Sequence, residues 1–239
     1  MRALLLAAGL GTRLRPLTES VPKCLVPIAG RPLLAHWLDA LFADPRIERV
    51  LINTHYLADQ VTTVVRSLPW QQRIDLVHEP SLLGTGGTVL ANRAWLGEGP
   101  VFVAHADNLT DAPVSHIIDP HLAARKSVAM TMLAFRTPTP STCGILELDA
   151  QAHVVGFHEK VANPPGNLAN GAVYVLEPEV VERIAAIGRP VVDLSTEIIP
   201  ALLPRILAVE YDGFFMDIGT NEALAWARTH FPARDRSRA

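Results

Sequence analysis

The sequence predicts an α/β protein with a mixed, mostly parallel sheet, helices on both faces and an antiparallel extension. Through the first half of the chain, apolar runs of strand length alternate with segments of helical periodicity, which is typical of parallel sheets. In the second half, short strand-like runs follow one another without intervening helices, and this indicates antiparallel pairing. Because 49% of the 239 residues are apolar, the chain can bury one large core.

Each element is predicted from its own apolar pattern. In the first half, short apolar runs predict strands at residues 3–8, 50–54, 74–78 and 100–104. Apolar residues at helical spacing predict helices between them at 33–42, 58–68 and 87–95. The second half has predicted strands at 128–136, 144–148, 154–159, 171–176 and 207–211, and predicted helices at 178–186 and 195–203. No repeat or low-complexity linker interrupts them, so we predict a single domain over residues 1–239.

Composition and charge argue against several classes of protein. The formal net charge is −3, whereas proteins that bind nucleic acid or anionic membranes usually have a basic excess, so neither partner is expected. The sequence has no run of roughly 18 apolar residues, the length that a membrane span needs. The two cysteines, Cys24 and Cys143, lack the spacing of a disulfide framework or a zinc site, which indicates a reducing compartment. We therefore expect a cytoplasmic protein.

The beginning of the chain has the features of a triphosphate-binding loop. An apolar run ends in the turn Gly9-Leu10-Gly11, Arg13 follows closely, and Lys23 lies ten residues further on. Backbone N–H groups, a bidentate cation and a second cation are what a triphosphate needs. The loop is not the dinucleotide-binding pattern, because Leu14 occupies the position of its third glycine, and it also lacks the P-loop spacing.

Two aspartates occupy positions where a metal ion could be held. Asp107 follows an apolar strand, and Asp217 follows the apolar run 214–216 and precedes a Gly-Thr turn. A carboxylate next to a buried strand is costly without a partner, and Mg²⁺ takes one or two carboxylates plus substrate phosphates. Each aspartate alone is more often a helix N-cap or a turn residue. Together with a triphosphate loop, the pair predicts a shared Mg²⁺ site.

Two further segments have residues suited to a base and to a sugar. The segment 79–87 is a second glycine-rich turn that enters a helix, and Glu79 could accept hydrogen bonds from a base that presents N–H donors. Lys160 could pair with a phosphate, while Glu159 and Asn170 could bond sugar hydroxyls. By themselves, these segments also fit a loop before a capped helix, a surface charge pair and a turn asparagine. Ser141 and Ser195 have no His or Asp partner at motif spacing, so a covalent nucleophile is not indicated.

Taken together, these motifs resemble the sugar-1-phosphate nucleotidylyltransferase family, from about residue 1 to residue 228. The resemblance is carried by residues 6–18 with Pro22-Lys23, and then by Leu83-Gly84-Thr85-Gly86-Gly87, Glu159-Lys160, Asn170-Gly171-Ala172-Val173-Tyr174 and Asp217-Ile218-Gly219-Thr220. It implies a Rossmann-like fold with an added sugar-binding region. It also implies that an NTP and a sugar 1-phosphate give an NDP-sugar and pyrophosphate. His105-Ala106-Asp107 and Val161 depart from the usual pattern, but neither departure removes a charged catalytic group.

The resemblance implies a role for each candidate residue. Arg13 would neutralise the departing pyrophosphate, and Lys23 would bridge toward the α-phosphate. The other residues that would hold the nucleotide are Ala8, Gly9, Gly11, Thr12, Glu79, Gly84 and Thr85. Those that would hold the sugar phosphate are Gly144, Glu159, Lys160 and Asn170. The ligands of Mg²⁺ would be Asp107 and Asp217.

The base and the sugar are predicted with alternatives. The segment 83–87 resembles the guanylyltransferase branch, which acts on mannose or manno-heptose 1-phosphate, and segment 193–200 resembles the short heptose-phosphate members. The carboxylate of Glu79 suits guanine, whose N1–H and N2–H₂ groups are donors, so we expect GTP. A uridylyl- or thymidylyltransferase that acts on another sugar 1-phosphate is the alternative. A non-catalytic regulator that binds nucleotide sugars is a further hypothesis, against which the retained cations and carboxylates argue.

The organisation of the predicted domain follows from these roles. We predict that residues 1–110 bind mainly the nucleotide and that residues 111–230 bind mainly the sugar phosphate. Residues 231–239 are rich in arginine and small residues and are expected to form a flexible tail. Because homo-oligomers are common among similar proteins, a homodimer is also an expectation.

Overall fold

A computed structural model describes residues 1–232, so residues 233–239 of the predicted tail lie outside the described part. The chain forms two compact units. Among the described residues, the first contains Met1–Leu82, His105–Val114 and residues 213–232, and the second contains Leu83–Ala104 and Ser115–Asp212. Each unit therefore combines segments that are distant in the sequence, and the predicted division near residue 110 stays a prediction.

Short strands and helices succeed one another along the chain. The strands are β1 (Arg2–Leu6), β2 (Pro27–Ile28), β3 (Arg31–Pro32), β4 (Arg49–Thr54), β5 (Ile74–His78), β6 (Val101–His105), β7 (Asn108–Thr110), β8 (Met130–Arg136), β9 (Gly144–Leu148), β10 (Val154–Glu159), β11 (Leu168–Leu176), β12 (Ile206–Glu210) and β13 (Phe215–Asp217). The α-helices are α1 (Leu33–Phe42), α2 (Ala58–Ser67), α3 (Gly84–Ala91), α4 (Arg93–Leu96), α5 (Ser115–Ala124), α6 (Pro178–Ala185), α7 (Ile199–Leu202) and α8 (Asn221–His230). Within residues 1–232, none of these helices has the length and hydropathy needed to cross a bilayer.

In the first unit, three parallel strands place the chain's opening loop at the carboxyl edge of a sheet. β4 pairs in parallel with both β1 and β5. Leu4, Leu5 and Ile52 on these strands are fully buried, as expected for a sheet that is covered on both faces. The loops that follow β1 and β5 leave the sheet at the same edge, where ligands of parallel sheets bind.

A hydrophobic cluster in the first unit anchors the loop that follows β1. Leu14, at the end of the 3₁₀ turn Thr12–Leu14, is fully buried in this cluster. Leu14 shares the cluster with Leu109 of β7 and Leu224 of α8. Phe231, the first residue of the predicted tail, also belongs to it. Burial of Leu14 therefore fixes the backbone on either side of this turn.

In the second unit, the sheet is mainly antiparallel, as the short strands of the second half predict. β11 pairs antiparallel with β6, β8 and β9, and β9 pairs antiparallel with β10. β12 pairs in parallel with β8. The long strand β11 therefore lies inside the sheet, with hydrogen-bonded partner strands on both sides.

A buried polar cluster lies between α5, β8 and the start of α6 in the second unit. His121 is fully buried, with Nδ1 2.9 Å from Thr131 Oγ1 and Nε2 3.2 Å from Glu177 Oε1. Arg125 donates hydrogen bonds to both carboxylate oxygens of Glu177. Burial lowers the pKa of His121, although the Glu177 carboxylate acts in the opposite direction. The folded state therefore favours the neutral imidazole.

The structure departs from the predicted elements at two helices and several short strands. α5 is not among the predicted elements, because Pro120 lies inside it and proline normally ends a helix. α8 is also unpredicted, since only Leu224 and Ala227 of its ten residues are buried. The predicted helix 87–95 is divided at Asn92 into α3 and α4. The predicted helix 195–203 consists of a π-helical turn, Leu194–Ile198, followed by α7.

Candidate active site

The loop after β1 is held by hydrogen bonds at both ends. At its start, Ala7 N donates to Asn53 Oδ1 at 2.7 Å, and at its end Thr18 Oγ1 donates to Gly11 O at 2.7 Å. Gly11 has a φ of +63°, and a Cβ there would lie 3.0 Å from Thr18 Cγ2, so both conformation and space favour glycine. Among the other residues predicted to bind the nucleotide through their backbone, Gly9 and Thr12 are exposed and Ala8 is buried.

Arg13 lies directly after this loop, within the 3₁₀ turn. Its side chain is 67% exposed, and one guanidinium nitrogen is 3.8 Å from Asp217 Oδ2. A Cβ at Gly219 would lie 2.9 Å from the same nitrogen and from the same carboxylate oxygen, so a side chain at this position would displace the pair. An exposed pair at this separation is weak. The guanidinium can therefore exchange the carboxylate for another anion at little cost.

Lys23 contacts both predicted metal ligands. Its ammonium donates to Asp107 Oδ2 at 2.6 Å and lies 3.5 Å from Asp217 Oδ1. The side chain of Lys23 is only 8% exposed, whereas those of Asp107 and Asp217 are 32% and 50% exposed. Burial acts to raise the pKa of Asp107, but the charges of Lys23 and His105 hold that pKa below its ordinary value. Asp107 is therefore ionised at neutral pH.

A small antiparallel sheet brings the two aspartates together across 110 residues of sequence. β13 pairs with β7 so that Asp217 lies opposite Asn108. The next residue, Ile218, donates its backbone N–H to Asp107 O at 3.0 Å. The result is a group of four residues in the first unit, called the charged cluster below. It consists of Arg13, Lys23, Asp107 and Asp217.

The charged cluster offers oxygen ligands that suit Mg²⁺. Two carboxylates that both contact one ammonium are close enough to share a single cation, and Mg²⁺ prefers carboxylate and phosphate oxygens. Within residues 1–232, no group of three or more His, Cys, Asp or Glu side chains could hold a metal ion. A divalent ion at these two aspartates would therefore complete its coordination with oxygens from water or from a substrate.

Glu79, the predicted base contact, is buried directly after β5. Its side chain is 4% exposed, and Oε1 accepts a hydrogen bond from Asn53 Nδ2 at 3.0 Å. Asn53 Oδ1 in turn accepts the bond from Ala7 N, so Glu79 is connected to the loop after β1. Asn53 is not among the predicted site residues. Its signal in the sequence is a polar side chain near the end of an apolar strand.

In the second unit, the turn that contains Gly84 and Thr85 packs against residues 192–194. Gly84 has a φ of +73°, and a Cβ there would lie 2.6 Å from Val192 O. Thr85 Oγ1 donates to Asp193 Oδ2 at 3.2 Å and accepts from Leu194 N at 2.7 Å. The glycine at this turn is therefore required by the close approach of another backbone segment.

The residues predicted to bind the sugar phosphate lie on or beside β9, β10 and β11 of the second unit. Gly144 and Glu159 are directly opposite each other in the β9–β10 pair, and Asn170 lies on β11, which pairs with β9. A Cβ at Gly144 would lie 2.5 Å from Phe157 Cζ and 2.6 Å from Glu159 Oε2, so a side chain at this position would displace the Phe157 ring and the Glu159 carboxylate. Lys160 follows β10, and its exposed ammonium is 2.9 Å from Glu159 Oε1.

Two hydrogen bonds orient the Asn170 amide. Nδ2 donates to the Tyr174 hydroxyl at 2.8 Å, and Oδ1 accepts from Ala172 N at 2.9 Å. Because a backbone N–H can only donate, the amide cannot be turned over without losing this second bond. Tyr174 is fully buried, and burial raises its pKa, so the phenol stays protonated. Tyr174 is not among the predicted site residues, since a tyrosine in an apolar strand resembles ordinary core.

Comparison with known proteins identifies the family. The family model described as "Nucleotidyl transferase" matches residues 2–233. The chain belongs to the nucleotidyl transferase family. A relative in this family, the mannose-1-phosphate guanylyltransferase catalytic subunit beta of Drosophila pseudoobscura pseudoobscura, is 33% identical over 224 residues, which are 91% of this chain and 59% of the relative. The glucose-1-phosphate thymidylyltransferase of Streptomyces griseus is 33% identical over 187 residues, which are 78% of this chain and 52% of the relative.

The chain thus spans between half and three fifths of the length of these two relatives. Among solved structures with the nucleotidyl transferase fold, that of HddC from Yersinia pseudotuberculosis complexed with GMP-PN matches with a TM-score of 0.79. It is 24% identical, and the match covers 97% of this chain and 99% of that chain. The predicted family resemblance and the predicted α/β fold class are therefore confirmed.

Proposed function

We propose that the chain is a sugar-1-phosphate nucleotidylyltransferase, which converts an NTP and a sugar 1-phosphate to an NDP-sugar and pyrophosphate. The observation that supports this function best is the charged cluster, in which two cations and two carboxylates meet beside a glycine loop. Such a set of charges suits a reaction whose transition state is stabilised by positioning and charge neutralisation, without a protein nucleophile.

In the proposed reaction, an oxygen of the sugar phosphate attacks the α-phosphorus of the NTP in line. The new bond joins this oxygen to the α-phosphorus, and the bond from the α-phosphorus to the bridging oxygen of the β-phosphate breaks, so pyrophosphate leaves. Arg13, which is exposed and only weakly paired, is suited to neutralise the pyrophosphate. Lys23 would stabilise charge on the α-phosphate. The triphosphate would be held by backbone N–H groups of the loop, which belong to Ala8, Gly9, Gly11 and Thr12.

Asp107 and Asp217 are the residues that would hold Mg²⁺ in this proposal. The bound ion would neutralise phosphate charge during the transfer. The ammonium of Lys23 already contacts both carboxylates, at 2.6 and 3.5 Å. We infer that Lys23 exchanges these carboxylates for the NTP phosphate when the substrates bind. In this proposal, Lys23 neutralises the two aspartates before the substrates bind and contacts the nucleotide afterwards.

The sugar 1-phosphate is assigned to the second unit's residues. Lys160 has an exposed ammonium next to Glu159 and would hold the phosphate. Glu159 and Asn170 have side-chain oxygens suited to sugar hydroxyls, and the missing side chain at Gly144 lets the Glu159 carboxylate keep its place, since a Cβ there would lie 2.6 Å from Glu159 Oε2. The fixed orientation of the Asn170 amide supports a role in recognition, because a preorganised group loses little entropy on binding.

We further propose GTP with mannose or manno-heptose 1-phosphate as the substrate pair. The proposal is supported by similarity to a mannose-1-phosphate guanylyltransferase, and by the GMP-PN complex among the structures with this fold. Glu79 supplies a carboxylate near the loop, with its Oε1 bonded to Asn53. Thymidylyl or uridylyl transfer is the second candidate, favoured by similarity to a glucose-1-phosphate thymidylyltransferase. A cytoplasmic location, consistent with the unpaired Cys24 and Cys143, and a homodimer belong to the same proposal.

Pyrophosphate release tests this function. The purified chain is incubated with Mg²⁺, one of GTP, UTP, dTTP or CTP, and mannose, manno-heptose or glucose 1-phosphate. We expect release with GTP and a manno-configured phosphate, and loss of release in Asp217→Asn. Asp59→Asn, at an exposed aspartate of α2, serves as the matched control and should behave as the unaltered chain. Release with dTTP or UTP alone would overturn the base assignment. Absence of release with every pair would overturn the proposed function.

A further inference from the structure

The end of β4 continues into a segment that contacts both the residue assigned to the base and the loop assigned to the phosphates. This segment, called the 53–56 segment below, consists of Asn53, Thr54, His55 and Tyr56 and lies in the first unit. Its first two residues end β4, and α2 begins two residues after its last one. The segment therefore lies at the carboxyl edge of the parallel strands, where ligands of such sheets bind.

The amide of Asn53 joins the loop after β1 to Glu79. Asn53 Oδ1 accepts from Ala7 N at 2.7 Å, and Asn53 Nδ2 donates to Glu79 Oε1 at 3.0 Å. Because the Ala7 N–H can only donate, the amide has one permitted orientation, and its NH₂ group must face the carboxylate. Asn53 and Glu79 are 3% and 4% exposed, so water competes little for either bond. A shift of the loop would therefore move the amide that holds the Glu79 carboxylate.

The backbone of Glu79 is held by the same segment. Glu79 N donates to Thr54 O at 2.8 Å, and Glu79 O is 2.7 Å from His55 Nδ1. Since a carbonyl oxygen only accepts, Nδ1 is the nitrogen of this imidazole that carries the proton. Glu79 is thus held at its N–H, its carbonyl and its carboxylate by three consecutive residues, which fix the direction of its side chain.

Tyr56 contacts a later part of the loop after β1. The Tyr56 hydroxyl donates to Glu19 O at 2.8 Å. Glu19 ends the 3₁₀ turn Leu17–Glu19, which lies in the sequence between the two cations of the charged cluster. In α2, Gln60 Nε2 donates to the next carbonyl, Ser20 O, at 2.9 Å. The 53–56 segment and the helix after it therefore hold the chain on both sides of the first cation.

We propose that the 53–56 segment is a positioning element for the nucleotide, which sets the phosphate loop and the base contact Glu79 in one fixed arrangement. Asn53 is its central positioning residue, because a single amide binds both parts, and Tyr56 is a second positioning residue. The inference rests on the proposed function, since that function assigns the loop and Glu79 to the NTP. The residues assigned to the sugar phosphate belong to the second unit, and none of the bonds above involves them. The effect should therefore be confined to the nucleotide.

The test compares KM for the two substrates, measured by pyrophosphate release, in purified single variants. Asn53→Asp keeps the acceptor for Ala7 N but turns a carboxylate oxygen toward the Glu79 carboxylate. It should raise KM for GTP about 10- to 100-fold, the effect of losing a hydrogen bond to a charged group, and leave KM for mannose 1-phosphate within about twofold. Tyr56→Phe, at a side chain that is 37% exposed, removes one neutral bond and should raise KM for GTP about fivefold. Gln71→Glu makes the same exchange of amide for acid at an exposed residue before the start of β5, and is the matched control.

A double variant shows whether Asn53 acts through Glu79. Glu79→Gln keeps an oxygen that accepts from Asn53 and adds an NH₂ group that can donate. With Asn53→Asp in the same chain, the pair can form again with donor and acceptor exchanged, while the acceptor for Ala7 N remains. KM for GTP in the double variant should therefore lie within about twofold of that in Glu79→Gln alone.

Three results would overturn the inference. Equal changes of both KM values in Asn53→Asp, or no change in either, would show that the segment does not position the nucleotide. A double variant impaired by the product of the two single effects would show that Asn53 does not act through Glu79. If Asn53→Asp did not fold, as judged by circular dichroism, Tyr56→Phe gives the same comparison of KM values, and an unchanged KM for GTP in that variant is the third such result.

The proposed function is tested separately by the unaltered chain. If this chain released pyrophosphate while the variants gave any of those three results, only the inference about the 53–56 segment would fail. If the unaltered chain released no pyrophosphate and bound no GTP in calorimetry, the proposed function and the inference would fail together.

Discussion

Replacement of Lys23 by methionine tests two effects that the charged cluster predicts for the ammonium of Lys23: it weakens the binding of a metal ion, and it speeds the turnover of substrate. Methionine keeps an unbranched apolar stem at a position that is 8% exposed, so the change removes charge with little loss of packing. The ammonium contacts Asp107 at 2.6 Å and Asp217 at 3.5 Å, and its positive charge opposes a metal ion at the same two carboxylates. We therefore expect the variant to bind a divalent ion more tightly and to turn over substrate more slowly.

The size of each effect follows from the geometry. Unit charges about 4 Å apart interact by about 1 kcal/mol in water and by about 4 kcal/mol at an effective dielectric constant of about 20. Because the side chains of Asp107 and Asp217 are 32% and 50% exposed, solvent screening favours the lower part of this range. About 1.4 kcal/mol corresponds to a tenfold gain in metal affinity. Loss of one electrostatic donor from the transition state should lower kcat by about 10²- to 10³-fold.

The measurement uses Mn²⁺ as a paramagnetic stand-in for Mg²⁺. Electron paramagnetic resonance of free Mn²⁺ gives the affinity of the chain without nucleotide, and pyrophosphate release gives kcat. Lys126→Met, at an exposed lysine outside the charged cluster, is the matched control and should change neither quantity. Unchanged or weaker Mn²⁺ binding by a folded Lys23→Met variant would refute the competition between Lys23 and the metal ion.

Three further predictions concern the charged cluster and the buried histidine. Asp107→Asn and Asp217→Asn should each abolish pyrophosphate release while the far-ultraviolet circular dichroism spectrum stays that of the unaltered chain; full activity in both would remove the metal assignment. Arg13→Ala should remove about 2.7–4 kcal/mol of transition-state stabilisation, which is measured as a fall in kcat/KM. A stopped assay in which kcat/KM fell less than twofold would contradict the role of Arg13. Burial lowers the pKa of His121, so below about pH 6.5 the unfolded chain binds the proton more readily and stability falls with falling pH. Urea unfolding at a series of pH values should show that the free energy of unfolding falls by up to about 1.4 kcal/mol per pH unit because of His121. His121→Gln should remove this contribution, and an unaltered pH dependence in that variant would contradict the role of His121.

The elements that the sequence predicts best are those with an uninterrupted apolar pattern. The bounds of β5, β9, β10 and α1 agree with the predicted bounds, since each is a clear apolar run or helical stripe. α5 escapes prediction because the proline inside it gives the opposite local signal. The short strands β7 and β13 have too few residues for any periodicity, yet their pairing determines the site.

The types of residue in the candidate site are visible in the sequence, whereas their mutual contacts are not. A glycine loop with Arg13 and Lys23 predicts a phosphate site locally. The meeting of Asp107 and Asp217 depends on a strand pair between distant segments, which no local pattern reveals. Asn53 and Tyr174 support other site residues from within apolar strands, where a single polar side chain gives no functional signal.

The most direct test of the account is to identify the products of one reaction by ³¹P nuclear magnetic resonance. The chain is mixed with GTP, mannose 1-phosphate and Mg²⁺, and the phosphorus signals are followed with time. Nucleotidyl transfer at the charged cluster predicts that the diphosphate signals of an NDP-sugar and the signal of pyrophosphate grow in equal amounts, and that neither grows in Asp217→Asn. Growth of GDP and orthophosphate instead, or GTP that binds but does not react, would contradict the account.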